Sequence, residues 1–333
     1  MTSHAAGLAL LFQIVSFPSL GEVVGGPSLG WVFDERLKVF RSMVGPVGTA
    51  SLSKAVELPL EVLWGAPSPR QDYLFVLSAP DGQAVVLNPT TGRWVARPVA
   101  GSLSRPDRVV LSPGGEAAVL YYRQGHKVQA VVGLPQAPRV SAEFDIGGIG
   151  EAAAELAVSD DGAALLVWAQ EEDSGKLFLF RAGDAPRLLT AMGPQGAVSF
   201  LRRSRDAVLA DRRRHELVLL RDVTGAAQRV VLAGEAEGIS EPVAIGVSAD
   251  NQWVVAANAG AATIAVADLK GYSLRLVACQ CEPTSLHPMN RNFLFRLVGS
   301  SSDPVLLIDA GGPVPRVLVV AHPEYEIGEE ARR

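Results

Sequence analysis

The sequence predicts an all-β fold, a β-propeller, and three observations carry that prediction. A unit of four short apolar strands recurs six times. Turn residues inside the units, at Ser68, Ser112, Ser159, Ser204, Ser248 and the corresponding His287, fall at steps of 44, 47, 45, 44 and 39 residues. The strand runs, such as AVVLN, LFLF, ELVLL and TIAVA, are four or five residues long and rich in Val, Leu and Ile. A period near 44 with four strands per unit is the size of a propeller blade. Runs that are apolar throughout, instead of alternating, suit strands covered on both sides by neighbouring sheets.

The units can be justified in order. The first runs through LEVLWGAP, YLFVL, QAVVL and WVARPV, and the second through DRVVL, AAVLYY, KVQAVV and RVSAEF. The third holds AELAV, ALLVWA, KLFLF and RLLTAM; the fourth VSFL, AVLAD, ELVLL and QRVVL. The fifth holds VAIGV, QWVVAAN, TIAVA and LRLVAC, and the sixth TSLH, NFLFRL, PVLLID and RVLVVA. Between first and second strands lie SPGG, SDDG and SADN, where Asp and Asn side chains bond nearby backbone and Gly or Asn accepts positive φ. Ahead of these units, Ser28–Pro46 has the form of two more strands, Trp31–Asp34 and Leu37–Met43, with residues 55–58 as a third. A ring must join its first and last blades, and N-terminal strands can supply the joint. We therefore read a seventh, irregular blade; six blades with this pair packed outside is the alternative.

The ends and the cysteines bear on compartment. Residues 5–17 (AAGLALLFQIVSF) form an apolar run too short to span a bilayer but long enough for the core of a signal peptide. Export to the periplasm or beyond is the expectation, although the first cation is Arg36 and no Ala-x-Ala site follows the run. If the run is not a signal, it is an N-terminal arm and the chain is cytoplasmic. The division expected is 1–27 signal or arm, 28–323 propeller and 324–333 acidic flexible tail. Cys279 and Cys281, two apart on a strand at about 6 to 7 Å, sit at the upper edge of disulfide geometry. They read as a disulfide, as free thiols, or as half of a metal site that only His287 approaches.

A net charge of −5 and a pI near 5.6 argue against general nucleic-acid binding. Five scattered His and two Cys leave little for metal or redox chemistry, and no later run approaches 18 apolar residues, so no transmembrane segment is expected.

With the repeat established, the chain resembles the WD40/YVTN-like β-propeller superfamily of bacterial proteins over about residues 28–322. The resemblance rests on period and strand pattern, since no Trp-Asp or Gly-His pair marks a WD40 repeat. Leu87-Asn88-Pro89-Thr90-Thr91-Gly92-Arg93-Trp94 is similar to a quinoprotein or YVTN-type turn, and residues 266–271 (VADLKG) are a weaker echo. In that superfamily the turn is a blade-packing device, so the resemblance implies a rigid ring whose faces and channel bind something, without a cofactor or a reaction.

Three short motifs dissolve in the repeat register. Gly148-Ile149-Gly150-Glu151-Ala152-Ala153 has the spacing of a dinucleotide-binding turn, but its helix would have to run through the turn Ser159-Asp160-Asp161-Gly162. Gly26-Pro27-Ser28-Leu29-Gly30 matches a nucleophile elbow but precedes a strand. Ser174-Gly175-Lys176 lacks the upstream Gly of a phosphate loop.

The loops between second and third strands share one face of a propeller. They bring together Asp81, Arg123, His126, Glu171, Glu172, Asp173, Arg212, Arg213, Arg214, His215, Asn258 and Asp303. From this set the candidate binding residues are Arg123, His126, Glu171, Glu172, Asp173, Arg212, Arg213, Arg214 and His215; ordinary solvated loop tips are the competing reading. The densest basic cluster, Arg202, Arg203, Arg205 and Arg212 to Arg214, with Asp206 and Asp211 within it, reads as ion pairing on one exposed hairpin, with contact to an acidic partner or phosphate as the alternative. The function expected is a non-catalytic binding or scaffold module for a protein or glycan, monomeric or within a larger assembly, with no cofactor and no metal. The alternative is a propeller enzyme of the lyase, hydrolase or quinoprotein kind with its site in the channel.

Overall fold

The computed structural model describes residues 28–91, 93–150, 152–299 and 304–320. They form seven antiparallel sheets, six of four strands and one of three, in sequence order around a ring. Blade 1 is β1 (Ser28–Asp34), β2 (Val39–Val44) and β3 (Ser51–Ala55). Blade 2 is β4 (Val62–Pro67), β5 (Leu74–Ser78), β6 (Gln83–Thr90) and β7 (Arg93–Pro98). Blade 3 is β8 (Arg108–Leu111), β9 (Ala117–Tyr122), β10 (Lys127–Val132) and β11 (Arg139–Asp145). Blade 4 is β12 (Ala152–Val158), β13 (Ala164–Gln170), β14 (Gly175–Arg181) and β15 (Arg187–Met192). Blade 5 is β16 (Gly196–Phe200), β17 (Ala207–Asp211), β18 (Glu216–Arg221) and β19 (Gln228–Ala233). Blade 6 is β20 (Pro242–Val247), β21 (Trp253–Asn258), β22 (Thr263–Asp268) and β23 (Leu274–Ala278). Blade 7 is β24 (Pro283–Pro288), β25 (Leu294–Gly299), β26 (Val305–Asp309) and β27 (Arg316–Val320).

The apolar runs have a direct physical cause. Along β5, Leu74 and Val76 pack into the joint between blades 1 and 2, while Phe75 and Leu77 pack into the joint between blades 2 and 3. In β17, Ala207 and Leu209 face blade 4 and Val208 and Ala210 face blade 6. Each middle strand therefore has two dry sides, and the apolar core is divided into wedges, one per joint. Trp168 fills the joint of blades 4 and 5, where it is fully buried and its indole donates to the Gly193 carbonyl at 3.1 Å. A Cβ on Gly196 would stand 2.4 Å from that ring and 2.1 Å from the Ala210 carbonyl, which is why that strand opens on glycine.

The seventh blade is the N-terminal one, and it closes the ring by packing without sharing a strand. Leu29, Val32 and Met43 meet Met289, Leu294, Val305 and Leu307 of blade 7. Its third strand lies at Ser51–Ala55, earlier than the expected 55–58, because the chain turns through Val47–Thr49 immediately after β2. The residues assigned to a signal or arm (1–27) and to a tail (324–333) lie outside the described residues.

The repeat register also needs correction. What recurs is a backbone bond from residue i to i+5 that closes the first hairpin, at Ser68, Ser112, Ser159, Leu201, Ser248 and Met289. Ser204 and His287 are thus not the equivalents of the other serines. Where Ser stands it is buried, and its hydroxyl accepts the i+5 amide, as in Ala164 to Ser159 at 3.0 Å and Trp253 to Ser248 at 2.9 Å. Ala152 and Ala153 open strand β12 and no helix follows directly on Gly148 to Gly150 among the described residues, while Lys176, on β14, pairs with Glu171.

Candidate functional site

Antiparallel order gives the ring two faces. The turn face carries the hairpins joining first to second and third to fourth strands; the crossing face carries the loops joining second to third strands and the blade-to-blade crossings.

On the crossing face, the loops at 79–82, 123–126, 212–215 and 259–262 end on a residue with positive φ: Gly82 (66°), His126 (48°), His215 (55°) and Ala262 (48°). The equivalent positions of the two histidines thus reflect loop geometry, for which His is among the more tolerant side chains. Much of the charge here is compensated locally. Ser174 donates to Glu171 at 2.8 Å and Lys176 pairs with it, and the Lys176 ammonium holds that carboxyl below its usual range. Arg212 reaches Glu241 at 2.8 Å, and that guanidinium lowers the Glu241 carboxyl in the same way. Arg214 donates to the Ala191 carbonyl at 3.0 Å, and His215 Nδ1 accepts the Glu241 amide at 3.2 Å. Of the loop residues expected on this face, those without an ion pair or side-chain hydrogen bond of their own, among the described residues, are Asp81 in blade 2, Arg123 and His126 in blade 3, Glu172 and Asp173 in blade 4, and Arg213 in blade 5; all six are exposed. Asn258 does not belong to this surface: it is fully buried and donates to the Gly238 carbonyl and Thr263 Oγ1. Asp303 lies outside the described residues.

Cys279 and Cys281 are joined by a disulfide beside this face. Gln280 turns the chain with φ 51°, which brings the Cα atoms to 5.1 Å, closer than a regular strand would hold them. No group of three or more His, Cys, Asp or Glu among the described residues has the geometry to hold a metal ion.

The turn face is tied together from blade to blade. Gln71 accepts the Trp31 amide of blade 1 at 2.7 Å and donates to the Pro288 carbonyl of blade 7 at 2.9 Å. Tyr73 donates to the Gly115 carbonyl of blade 3. Asp160 of blade 4, itself buried, accepts Gly114 of blade 3 at 2.6 Å and Arg203 of blade 5 at 2.7 Å. Asn251 of blade 6 holds both the amide and carbonyl of Arg202 in blade 5, each at 2.8 Å. Asn292 of blade 7 holds Asp250 of blade 6, and the Asn290 amide reaches Leu29 of blade 1 at 2.8 Å. An outer set repeats the scheme: Asn88 donates to Pro135, Arg187 to Val223 and Gly225, Arg221 to Tyr272, and Arg275 to Gly312. Asn88, from the YVTN-like turn, is therefore a blade-packing residue. Apart from Asn88, whose turn resembles a blade-packing device, these ties had no readable signal, because each joins turns whole blades apart.

The basic cluster is split by β17. Arg202, Arg203 and Arg205 lie on the turn face and Arg212 to Arg214 on the crossing face, about 17 Å away across a five-residue strand. Its pairs are mostly with other elements: Arg203 with Glu116, Arg205 with Asp222 and Arg212 with Glu241. Above the channel mouth on the turn face is a hollow of about 330 Å³ whose wall includes Arg70, Arg202 and Arg291.

First strands line the channel. Arg108 of β8 pairs there with Glu155 of β12. Ser285 Oγ and His287 Nε2 of β24 are 3.1 Å apart. His287 opens to the channel but is enclosed by its wall, and this burial together with the Arg296 guanidinium pushes the imidazole down to about 4.

No protein-family model matches the chain, and no curated protein matches it. Solved structures do. A candidate 6-phosphogluconolactonase from Bacteroides fragilis NCTC 9343 superposes with a TM-score of 0.59 at 12% identity, over 88% of this chain and 92% of that one. A protein of unknown function from Desulfotomaculum acetoxidans DSM 771 gives 0.58 at 15% identity, over 89% and 95%. The β-propeller domain of Myceliophteria thermophila Cps50 (Swd1) gives 0.50 at 10% identity, over 84% and 95%. At these identities the likeness shows the propeller fold alone.

Proposed function

We propose that this chain is a non-catalytic binding or scaffold propeller, exported from the cytoplasm, that recognises a protein or glycan through the crossing-face loops of blades 3 to 5. One observation carries the reading: an acidic loop tip, Glu172 and Asp173, stands between two basic ones, Arg123 and Arg213, and no ion pair joins the loops. Charges left facing solvent on a rigid frame favour steering and orientation of a complementary partner. The Cys279–Cys281 disulfide supports an oxidising compartment. The test is capture from the source organism's envelope fraction, comparing wild type with E172K/D173K and R213E. A specific partner held by wild type and lost from both variants supports the reading; a partner retained by both overturns it. Export is tested by mapping the mature N-terminus, expected between residues 17 and 28, with an intact Met1 in a cytoplasmic fraction as the opposite result.

A second reading, an enzyme with its site in the channel, draws on the Ser285–His287 contact, a hydroxyl beside an imidazole held neutral. A hydrolytic activity abolished by both S285A and H287Q would favour it.

A further inference from the structure

The hollow on the turn face lies opposite the proposed recognition loops and does not depend on that reading. Its wall includes Arg70, Arg202 and Arg291, from blades 2, 5 and 7, together with Asn290 and Asn292, and none of its lining residues is Asp or Glu. The acids nearby are engaged elsewhere. Asp72 and Glu116 hold Arg70 at 3.0 and 3.3 Å, and Glu116 also takes Arg203, whose guanidinium keeps that carboxyl below its usual range. The two Asp160 oxygens accept the Gly114 and Arg203 amides. Asp250 is held by Ser248, Gln252 and Asn292.

Arg202 and Arg291 are different. Their side chains make no ion pair or hydrogen bond among the described residues, although Asn251 fixes the Arg202 backbone and Arg291 sits in the hairpin closed by the Met289 to Leu294 bond. Two arginines whose side chains have no ion pair or hydrogen bond among the described residues, on the wall of one concavity with Glu116 close enough to act on Arg202, give that wall a positive character suited to an oxyanion. The volume is at the lower end for small-molecule sites. We propose that this hollow binds a small oxyanion-bearing molecule, a carboxylate or a phosphate monoester, through Arg202 and Arg291.

Calorimetric titration of the full chain at low ionic strength tests this, with inorganic phosphate and citrate as probes and glycerol as the neutral control. The expected result is saturable binding of at least one anion, with a dissociation constant of about millimolar or tighter, and none of glycerol; the preferred anion tells phosphate from carboxylate. R202Q/R291Q should weaken binding by roughly tenfold or more, and K127Q, on β10 away from the hollow, should leave it unchanged. Because neither side chain holds the fold, R202Q/R291Q should melt with wild type when no anion is present; should it not, R291Q alone, altering an exposed hairpin tip, carries the comparison. Failure of both anions to saturate, or equal binding by wild type and the arginine variants, overturns the proposal. Loss of the envelope partner in E172K/D173K would be unaffected by either result, so the two ideas fail separately.

Discussion

The two faces of the ring are built from the same hairpins but bonded differently. On the turn face, side chains reach across joints, so that Gln71, Asp160, Asn251 and Asn292 hold neighbouring blades by their backbones. On the crossing face, bonds run mainly between a loop and the crossing beside it, as Arg123 to Asp107, Gly193 to Asp211 and Glu241 to His215. The difference teaches where a propeller without a shared closing strand keeps its rigidity. Inter-blade polar ties at one end, added to apolar wedges along every joint, leave the loops at the other end free to carry exposed charge.

The contrast predicts graded effects. Asp160→Ala should be the most damaging single change, because it strands the buried Gly114 amide and the partly buried Arg203 amide, from two blades; a loss of about 3 kcal/mol in denaturant unfolding is expected, and a loss below about 1 would remove Asp160 from the frame. Gln71→Ala opens the closing joint at one point only and should cost about 2 kcal/mol by the same measurement. Acid should act through His287. Between its ordinary value of 6.5 and about 4, the unfolded chain binds a proton at this position and the folded chain does not, so stability falls as pH drops through that window and levels off below it. His287→Gln should remove that part of the pH dependence; an unchanged profile would show that the channel does not desolvate the ring. On the crossing face, E172Q/D173N/R213Q should alter stability by no more than about 0.5 kcal/mol, since these side chains hold nothing; a larger loss would mean that the loops also brace the ring.

The same contrast explains what could be read in the sequence. Strand runs such as Leu74–Leu77 were legible because burial on two sides leaves an unbroken apolar signature. Six blades followed from the period and the seventh from the strand-like segment Ser28–Pro46 and the need to close the ring, while the face shared by Arg123, Glu172 and Arg213 followed from strand alternation. Turn register was less legible: Ser204 resembles its counterparts in type, but the i to i+5 bond that defines the hairpin starts at Leu201. The hollow was invisible, since Arg70, Arg202 and Arg291 meet only after the ring closes. A linear cluster such as Arg202 to Arg214 misleads for the converse reason, because one short strand carries its halves to opposite faces.

Hydrogen–deuterium exchange of the free protein tests the division of labour most directly. The account predicts that the amides of Gly114, Arg202 and Arg203, each held by a side chain from an adjacent blade, exchange roughly a hundredfold or more slowly than those of Gln124, Glu172 and Asp173 on the crossing face. Equal exchange at the two sets, or faster exchange on the turn face, would contradict it.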